Sequence, residues 1–322
     1  MSPSATTRCA SSARGSGPEP VSAAHGLYGG PPPALAIAPP GALQTSPLTP
    51  GAGTLEALAD ESLDSFTVLA PPGAVERRYV LAQALRSLKP GGRLIAMAPK
   101  DKGGARLKRE VEAFGCAVGE TAKRHHRICE VVRPAAPTGL EAAIAEGAPR
   151  LHAGLGLWTQ PGVFSWDRVD PGSALLVSHL PPLAGKGADL GAGLGVLAHA
   201  VLASPTVSAL SLVELDRRAL EAARRNVGDP RATFVQADAR TWASDGALDF
   251  VVMNPPFHDG GAEDKTLGQG FIAAAARLLR KGGACWLVAN RHLPYEAALA
   301  DAFGKVRLAG EGGGFKVYEA VK

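Results

Sequence analysis

Four short stretches of this chain carry residue types that could act together on one substrate. The first is Asn254-Pro255-Pro256-Phe257, which ends the apolar run Phe250-Val251-Val252-Met253. The run reads as a buried strand. Two successive prolines cannot continue a ladder or start a helix directly, so the backbone leaves the sheet there. Asn254 is therefore expected at a strand C-terminus, where open α/β sheets bind their ligands. Its side-chain oxygen and the Pro255 carbonyl form a rigid pair of acceptors beside a flat ring, Phe257. Such a set suits a planar group bearing an NH2: the amine donates to both acceptors and the ring stacks on its face. A strand followed by a proline-stiffened turn is the plain alternative, and these residues alone do not choose between them.

The other three stretches supply a partner for that turn. Asp189-Leu190-Gly191-Ala192-Gly193-Leu194-Gly195 reads as a strand end, a glycine turn and a helix start. Glycines let the backbone approach a ligand closely, and the helix N-terminus faces it. The spacing differs from the Gly-x-Gly-x-x-Gly of dinucleotide folds and is weakly specific alone. Glu214 ends the next strand, about twenty residues on, where a carboxylate can accept both hydroxyls of a ribose. Asp238-Ala239 follows a third strand and can accept from an adenine amino group. Asp189 could hold the turn or a cationic end of the ligand. In this order the four stretches describe an S-adenosylmethionine site with an amine-presenting acceptor. The donor site comprises Asp189, Gly191, Ala192, Gly193, Gly195, Glu214, Asp238, Ala239 and Asn254. The catalytic turn is Asn254, Pro255, Pro256 and Phe257. His258 either shuttles the displaced proton or faces solvent on a loop. Phe315 and Lys316 either line the substrate side or form a hairpin edge. No strong general base and no metal ligand set stand out.

The elements that must position these residues occur twice. In the second half the order is strand Phe250 to Met253, helix Gly268 to Leu279, Lys281-Gly282-Gly283, strand Ala284 to Ala289, helix Tyr295 to Phe303 and strand Phe315 to Val321. In the first half strand Ser65 to Leu69, helix Glu76 to Leu88, Lys89-Pro90-Gly91-Gly92, strand Arg93 to Ala98, helix Arg106 to Phe114 and strand Arg127 to Val132 follow the same plan. This predicts an internal duplication. In the first copy Ala70-Pro71-Pro72 echoes the proline turn, with Ala70 where the second has Asn254, and no glycine-rich loop precedes it. The first copy is expected to be non-catalytic. Pro171 suits the first turn of a helix over Ala174 to Leu180.

Composition bounds the rest. The chain has 322 residues, formal charge +4 and a pI near 8.9. That permits a nucleic-acid partner without demanding one. The first copy has a basic excess in Lys100, Lys102, Arg106, Lys108, Arg109, Lys123, Arg124 and Arg127, which reads as a solvated face or as a phosphate-contacting one. Cys9, Cys116, Cys129 and Cys285 lack metal or redox spacing, which fits a reducing compartment. No apolar run is long enough for a membrane span. Residues 1–24 are rich in Ser, Ala, Gly and Pro and are expected to be a disordered tail. Leu27 to Pro50 reads as irregular, linker-like chain.

Gly162-Val163-Phe164-Ser165, Asp189-Leu190-Gly191-Ala192-Gly193, Asn254-Pro255-Pro256-Phe257-His258-Asp259-Gly260 and Gly314-Phe315-Lys316-Val317-Tyr318 together resemble the small-subunit ribosomal RNA guanine-N2 methyltransferases. The resemblance runs from about Leu27 and is strongest from Leu157 onward. It implies an α/β class I methyltransferase with a Rossmann-like sheet, preceded by a degenerate, duplicated methyltransferase-like domain. The expected boundaries are 25–145 for the degenerate, RNA-recognising domain and 146–322 for the catalytic one. It further implies S-adenosylmethionine as methyl donor, the N2 amine of a guanine in 16S rRNA as acceptor, and Phe164 among the substrate contacts. A cytoplasmic monomer acting on ribosomal RNA or the small subunit is expected, without metal or membrane. Large-subunit rRNA, adenine N6 and a glutamine amide present the same NH2 and remain open on the residues alone. A dinucleotide oxidoreductase would leave Asn-Pro-Pro-Phe idle, and a non-catalytic RNA-binding assembly factor would leave Asn254, Glu214 and Asp238 idle.

Overall fold

The computed structural model describes residues 24–256 and 266–322 with their side chains, and the backbone alone of 258–259, 262–263 and 265. The expected tail, the Phe257 ring and the His258 side chain lie outside the described residues.

In chain order the first half contains β1 (His25–Tyr28), β2 (Leu43–Gln44), β3 (Leu63–Leu69), α1 (Ala74–Ser87), β4 (Leu88–Pro99), α2 (Ala105–Glu112), β5 (Val118–Lys123), β6 (His126–Val132) and α3 (Leu140–Gly147). A hairpin, β7 (Arg150–His152) and β8 (Leu157–Thr159), leads into the second half. There follow α4 (Pro171–His179), β9 (Gly185–Leu190), α5 (Val196–Leu202), β10 (Val207–Glu214), α6 (Arg217–Asn226), β11 (Ala232–Gln236) and β12 (Leu248–Met253). The short pair β13 (His258–Asp259) and β14 (Ala262–Glu263) precedes α7 (Lys265–Leu278), β15 (Leu279–Asn290), α8 (Tyr295–Ala302), β16 (Lys305–Gly312) and β17 (Phe315–Val321).

Two open α/β sheets result. The second has seven strands in the order β11-β10-β9-β12-β15-β17-β16, parallel except for β17. Chain order reverses beside β9, so the ends of β9, β10 and β12 converge at the topological switch point. Both faces of this sheet are covered, which is why its strands read as unbroken apolar runs. Val251 and Met253 enter one core while Phe250 and Val252 enter the other. Gly187 has no side chain because the Phe250 ring lies on it.

The first sheet has the order β2-β1-β3-β4-β6-β5 and repeats six of the second sheet's seven strands, β11 having no counterpart. The match extends to register. Leu63↔Leu88 followed by Ser65↔Arg93 reproduces Leu248↔Leu279 followed by Phe250↔Ala284. Arg127↔Ala98 likewise reproduces Lys316↔Ala289. The paired Gly-Gly turns, Lys89-Pro90-Gly91-Gly92 and Arg280-Lys281-Gly282-Gly283, are therefore bulges inside β4 and β15, where Gly91 and Gly282 take φ near +80°.

Aligning the two sheets on these pairs corrects three expectations. Part of the supposed linker is structured: β1 and β2 are full members of the first sheet. The glycine loop also has a counterpart, because Gly29 (φ +77°) follows β1 as Gly191 (φ +76°) follows β9. Finally, Leu69, not Ala70, stands at the level of Asn254, and the Ala70-Pro71-Pro72 turn begins one residue further along. By the same register Leu27 stands at the level of Asp189 and Ser46 at that of Glu214. Asp189, Glu214 and Asn254 of the second copy are thus matched in the first by Leu27, Ser46 and Leu69, none of which carries a carboxylate or an amide.

Candidate active site

Asp189 lies in β9 between Leu212 and Val252 and is fully buried. Neither of its carboxylate oxygens has a hydrogen-bond partner. Burial pushes its pKa up to about 8, with the charge of Glu214 adding to the effect. A buried, unpartnered carboxyl is costly and calls for a ligand. The glycine loop begins immediately after it. Gly191, Gly193 and Gly195 all take positive φ, at +76°, +52° and +84°. The Gly191 and Ala192 N–H groups donate to the Val213 carbonyl at 2.8 and 3.2 Å, which ties the loop to the end of β10. The Gly193 α-carbon faces open space, whereas a Cβ on Gly195 would press on Val227. One glycine therefore leaves room for a ligand and the other lets α5 pack closely.

Glu214 ends β10. Its Oε2 accepts from the Gly193 N–H at 2.8 Å and its Oε1 from the Asp216 N–H at 2.9 Å. Burial raises its pKa while these N–H donors oppose the rise. A carboxylate has about four acceptor positions, so each oxygen keeps a free lone pair for a hydroxyl. Asp238 lies two residues past β11. Its carboxylate is held by the Arg240 guanidinium at 2.6 to 3.1 Å, which lowers its pKa. Asp238 thus reaches the expected edge of the sheet but already has a strong partner. Ala239 beside it is buried.

Asn254 follows the last residue of β12. Its Nδ2 donates to Asp170 Oδ2 at 2.7 Å and to Ser173 Oγ at 2.9 Å. Asp170 caps α4, taking the Ser173 N–H at 2.7 Å, and Pro171 occupies the first turn. A carboxylate accepts only, so this contact determines which end of the amide is NH2. Asn254 Oδ1 is left as the acceptor. Pro255 is buried and Pro256 exposed. Phe164 is 58% exposed and shares a cleft with Asn254, Asp170 and Gly191 to Gly193. Ser165, in the same cleft, holds φ +52°, a strained value for a non-glycine residue.

Phe315 packs on Gly172 at the start of α4, close to Asp170. Lys316 does not reach into the cleft. Its ammonium is held by Glu296 at 2.6 Å, and Tyr318 donates to the same oxygen at 2.5 Å. Asp170 and Ser173 are the residues that inspection of motifs missed. Asp-Pro-Gly-Ser signals a helix start, but nothing local links it to a turn 84 residues away.

Residues 154–319 match the family model described as "Methyltransferase small domain". The chain is 32% identical over 269 residues to ribosomal RNA small subunit methyltransferase C of Shewanella piezotolerans, covering 81% of this chain and 78% of that one. Against its Shewanella halifaxensis counterpart the identity is 32% over 271 residues, covering 82% and 79%. The chain belongs to the ribosomal RNA small subunit methyltransferase C family. It is therefore an enzyme, a methyltransferase of the class I α/β fold. The T. thermophilus 16S rRNA N2 methyltransferase, solved in complex with AdoMet and guanosine, superposes with a TM-score of 0.73 at 24% identity, over 93% of this chain and 88% of that one. That likeness spans both halves, so the paired-sheet architecture is common to the two proteins.

Proposed function

We propose that this protein transfers a methyl group from S-adenosylmethionine to the exocyclic N2 amine of a guanine in 16S rRNA. The single observation that carries the reading is the amide of Asn254, fixed by Asp170 and Ser173 with its oxygen directed as an acceptor beside the glycine loop. The donor suits the residues present. Asp189 offers a buried carboxyl without a partner, Glu214 offers free lone pairs at the ribose level, and Gly193 leaves space. When bound, S-adenosylmethionine supplies an activated methyl on a sulfonium.

The chain's own residues then position and polarise. Asn254 Oδ1 and the Pro255 carbonyl accept the two N–H bonds of the guanine amine. That turns the nitrogen lone pair out of conjugation with the ring and toward the methyl. Catalysis here is orientation and charge placement rather than strong acid–base chemistry. The amide does not retain the displaced proton, which leaves to solvent. Phe257 stacks on the base, with Phe164 as the exposed aromatic on the described side of the cleft. A base within an RNA helix must first be flipped out.

The first copy, residues 25–145, serves RNA recognition, and 146–322 the chemistry. The Lys100 N–H donates to the His125 carbonyl at 2.8 Å, which brings Lys100 beside the exposed turn carrying Lys123 and Arg124. Arg106, at the start of α2, is also exposed. Such a cluster fits phosphates in a salt-dependent way. The protein acts as a cytoplasmic monomer without a metal. No helix among the described residues is long and apolar enough to cross a membrane.

The deciding experiment is transfer from labelled S-adenosylmethionine to 16S rRNA, followed by nucleoside mapping. N2-methylguanine with the native protein, and its loss with Asn254→Ala, is the expected result. Label appearing only on adenine, or unchanged turnover in the variant, would overturn the reading.

A further inference from the structure

We infer that Glu76, in the first half of the molecule, is a positioning residue for Glu214 and hence for the methyl donor in the second half. This rests on the donor reading given above.

The observation is a continuous chain of short contacts. Arg218 Nη1 meets Glu76 Oε1 at 2.6 Å. The same guanidinium grips Asp216 from its Nε, 3.0 Å to Oδ1, and its Nη2, 2.7 Å to Oδ2. The Asp216 N–H donates to Glu214 Oε1 at 2.9 Å, and the Gly193 N–H to Glu214 Oε2 at 2.8 Å. The side chains of Arg218, Glu76 and Asp216 are only 13%, 10% and 14% exposed. A forked guanidinium between two buried carboxylates has one good geometry, and each end fixes the other. Arg218 also offsets the crowding of Glu76, Asp216 and Glu214, three carboxylates that would otherwise repel across a poorly hydrated interface.

A second contact leads from Glu76 to the opposite wall of the cleft. Gly162 has φ +102°, and a Cβ there would overlap the Glu76 carboxyl. Gly162 opens the segment that carries Phe164 and Ser165. One carboxyl of the non-catalytic copy therefore touches the support of Glu214 on one side and the Phe164 segment on the other.

The duplication explains how this arose. Helix α6 lies against the ends of β1 and β2, the place that corresponds to the donor site in the second sheet. Tyr28 and Thr45 from the first half and Arg218, Glu221 and Arg225 from α6 line a cavity of about 290 Å³ there. With Leu27 and Ser46 at the levels of Asp189 and Glu214, that cavity has lost the donor's polar partners. Helix α6 forms one of its walls instead, and that helix starts three residues after Glu214.

The test compares the full-length protein with Glu76→Gln, which keeps shape and removes charge, and Arg218→Lys, which keeps charge and removes the fork. S-adenosylmethionine affinity is read by calorimetric titration, and KM and kcat by methyl transfer. Glu76→Gln is expected to weaken donor binding and raise the donor KM by about tenfold, with kcat and the RNA KM within about twofold. Arg218→Lys should act in the same direction, and the double variant should be no worse than the stronger single one. A Glu76→Gln protein with unchanged donor affinity overturns the inference. So does one whose melting temperature and kcat fall together while the donor KM stays put, since that is a merely structural effect. Should Glu76→Gln not fold, Arg218→Lys is judged by the same criteria. Glu214→Ala separates the two readings. If it loses donor binding and Glu76→Gln does not, only the coupling fails. If the unaltered protein binds no S-adenosylmethionine, the proposed function fails instead.

Discussion

Asn254 Nδ2 lies 2.7 Å from Asp170 Oδ2, a bond between a strand end and a helix cap 84 residues apart in sequence. It makes the orientation of the Asn254 amide a property of α4. Asp170→Ala removes the acceptor that distinguishes the two ends of the amide and leaves the side chain without a fixed orientation toward the guanine amine. Transfer is expected to fall by about 10- to 100-fold in kcat, with donor affinity unchanged. The lost cap should also cost about 1 kcal/mol of stability. Single-turnover transfer and urea unfolding measure the two separately, and an effect on stability alone would refute the orienting role.

Asp189 gives a pH signature. Its folded pKa, near 8, lies above the ordinary value of 3.8, so between these values the folded state holds a proton that the unfolded chain has released. Stability from this group is fully present below about pH 4 and is lost as pH rises toward 8, by up to roughly 1.4 kcal/mol per pH unit. Asp189→Asn should therefore flatten the decline in melting temperature between pH 5 and 8 in the ligand-free protein, and should weaken S-adenosylmethionine binding. Parallel melting profiles for the two proteins would contradict this.

Glu214 and Asp238 should contribute unequally. Glu214 is buried and bonded to the glycine loop, whereas Asp238 is neutralised by Arg240 near solvent. Glu214→Ala is expected to raise the donor KM by about tenfold or more, and Asp238→Ala by only a few-fold, since exposed pairs are worth little. Equal effects in a steady-state assay would show that Arg240 releases Asp238 when the donor binds.

Arg77 occupies the inner side of the first copy's proline turn. It is 1% exposed, pairs with Glu110 through two bonds at 2.6 and 2.7 Å, and donates to the Pro71 and Pro72 carbonyls at 3.1 and 2.7 Å. The carbonyls that would present acceptors to a substrate are occupied by the protein itself. Arg77→Met strands Glu110 and both carbonyls, and should cost about 3–5 kcal/mol in denaturant unfolding. Donor affinity measured below the transition should change little.

Some of this was legible from local chemistry. Phe250 to Met253, the glycine turn and the proline pair are all signals that act within a few residues, so the strand ends and their ligand-facing residues could be read directly. The paired Gly-Gly turns disclosed the duplication for the same reason. Strands β5 and β16 escaped notice because they are exposed on one face or both, and an edge strand such as Val118 to Lys123 lacks the apolar alternation of a buried one. His25–Tyr28 hid among prolines because only its pairing with β3 makes it a strand.

The sequence by itself determined that Asp189, Gly191, Gly193, Glu214, Asp238 and Asn254 stand in this order at or just past the C-terminal ends of strands, and such ends meet at the switch point of an open α/β sheet. Which groups hold those residues in place was decided only by the tertiary structure. Asp170 on Asn254, Arg240 on Asp238, Glu296 on Lys316, and Glu76 through Arg218 toward Glu214 are contacts between elements distant in sequence or between neighbours whose rotamers only packing selects. Hydrogen bonds of that kind have no sequence period, and they exist only once the sheets have brought their partners within 3 Å or so.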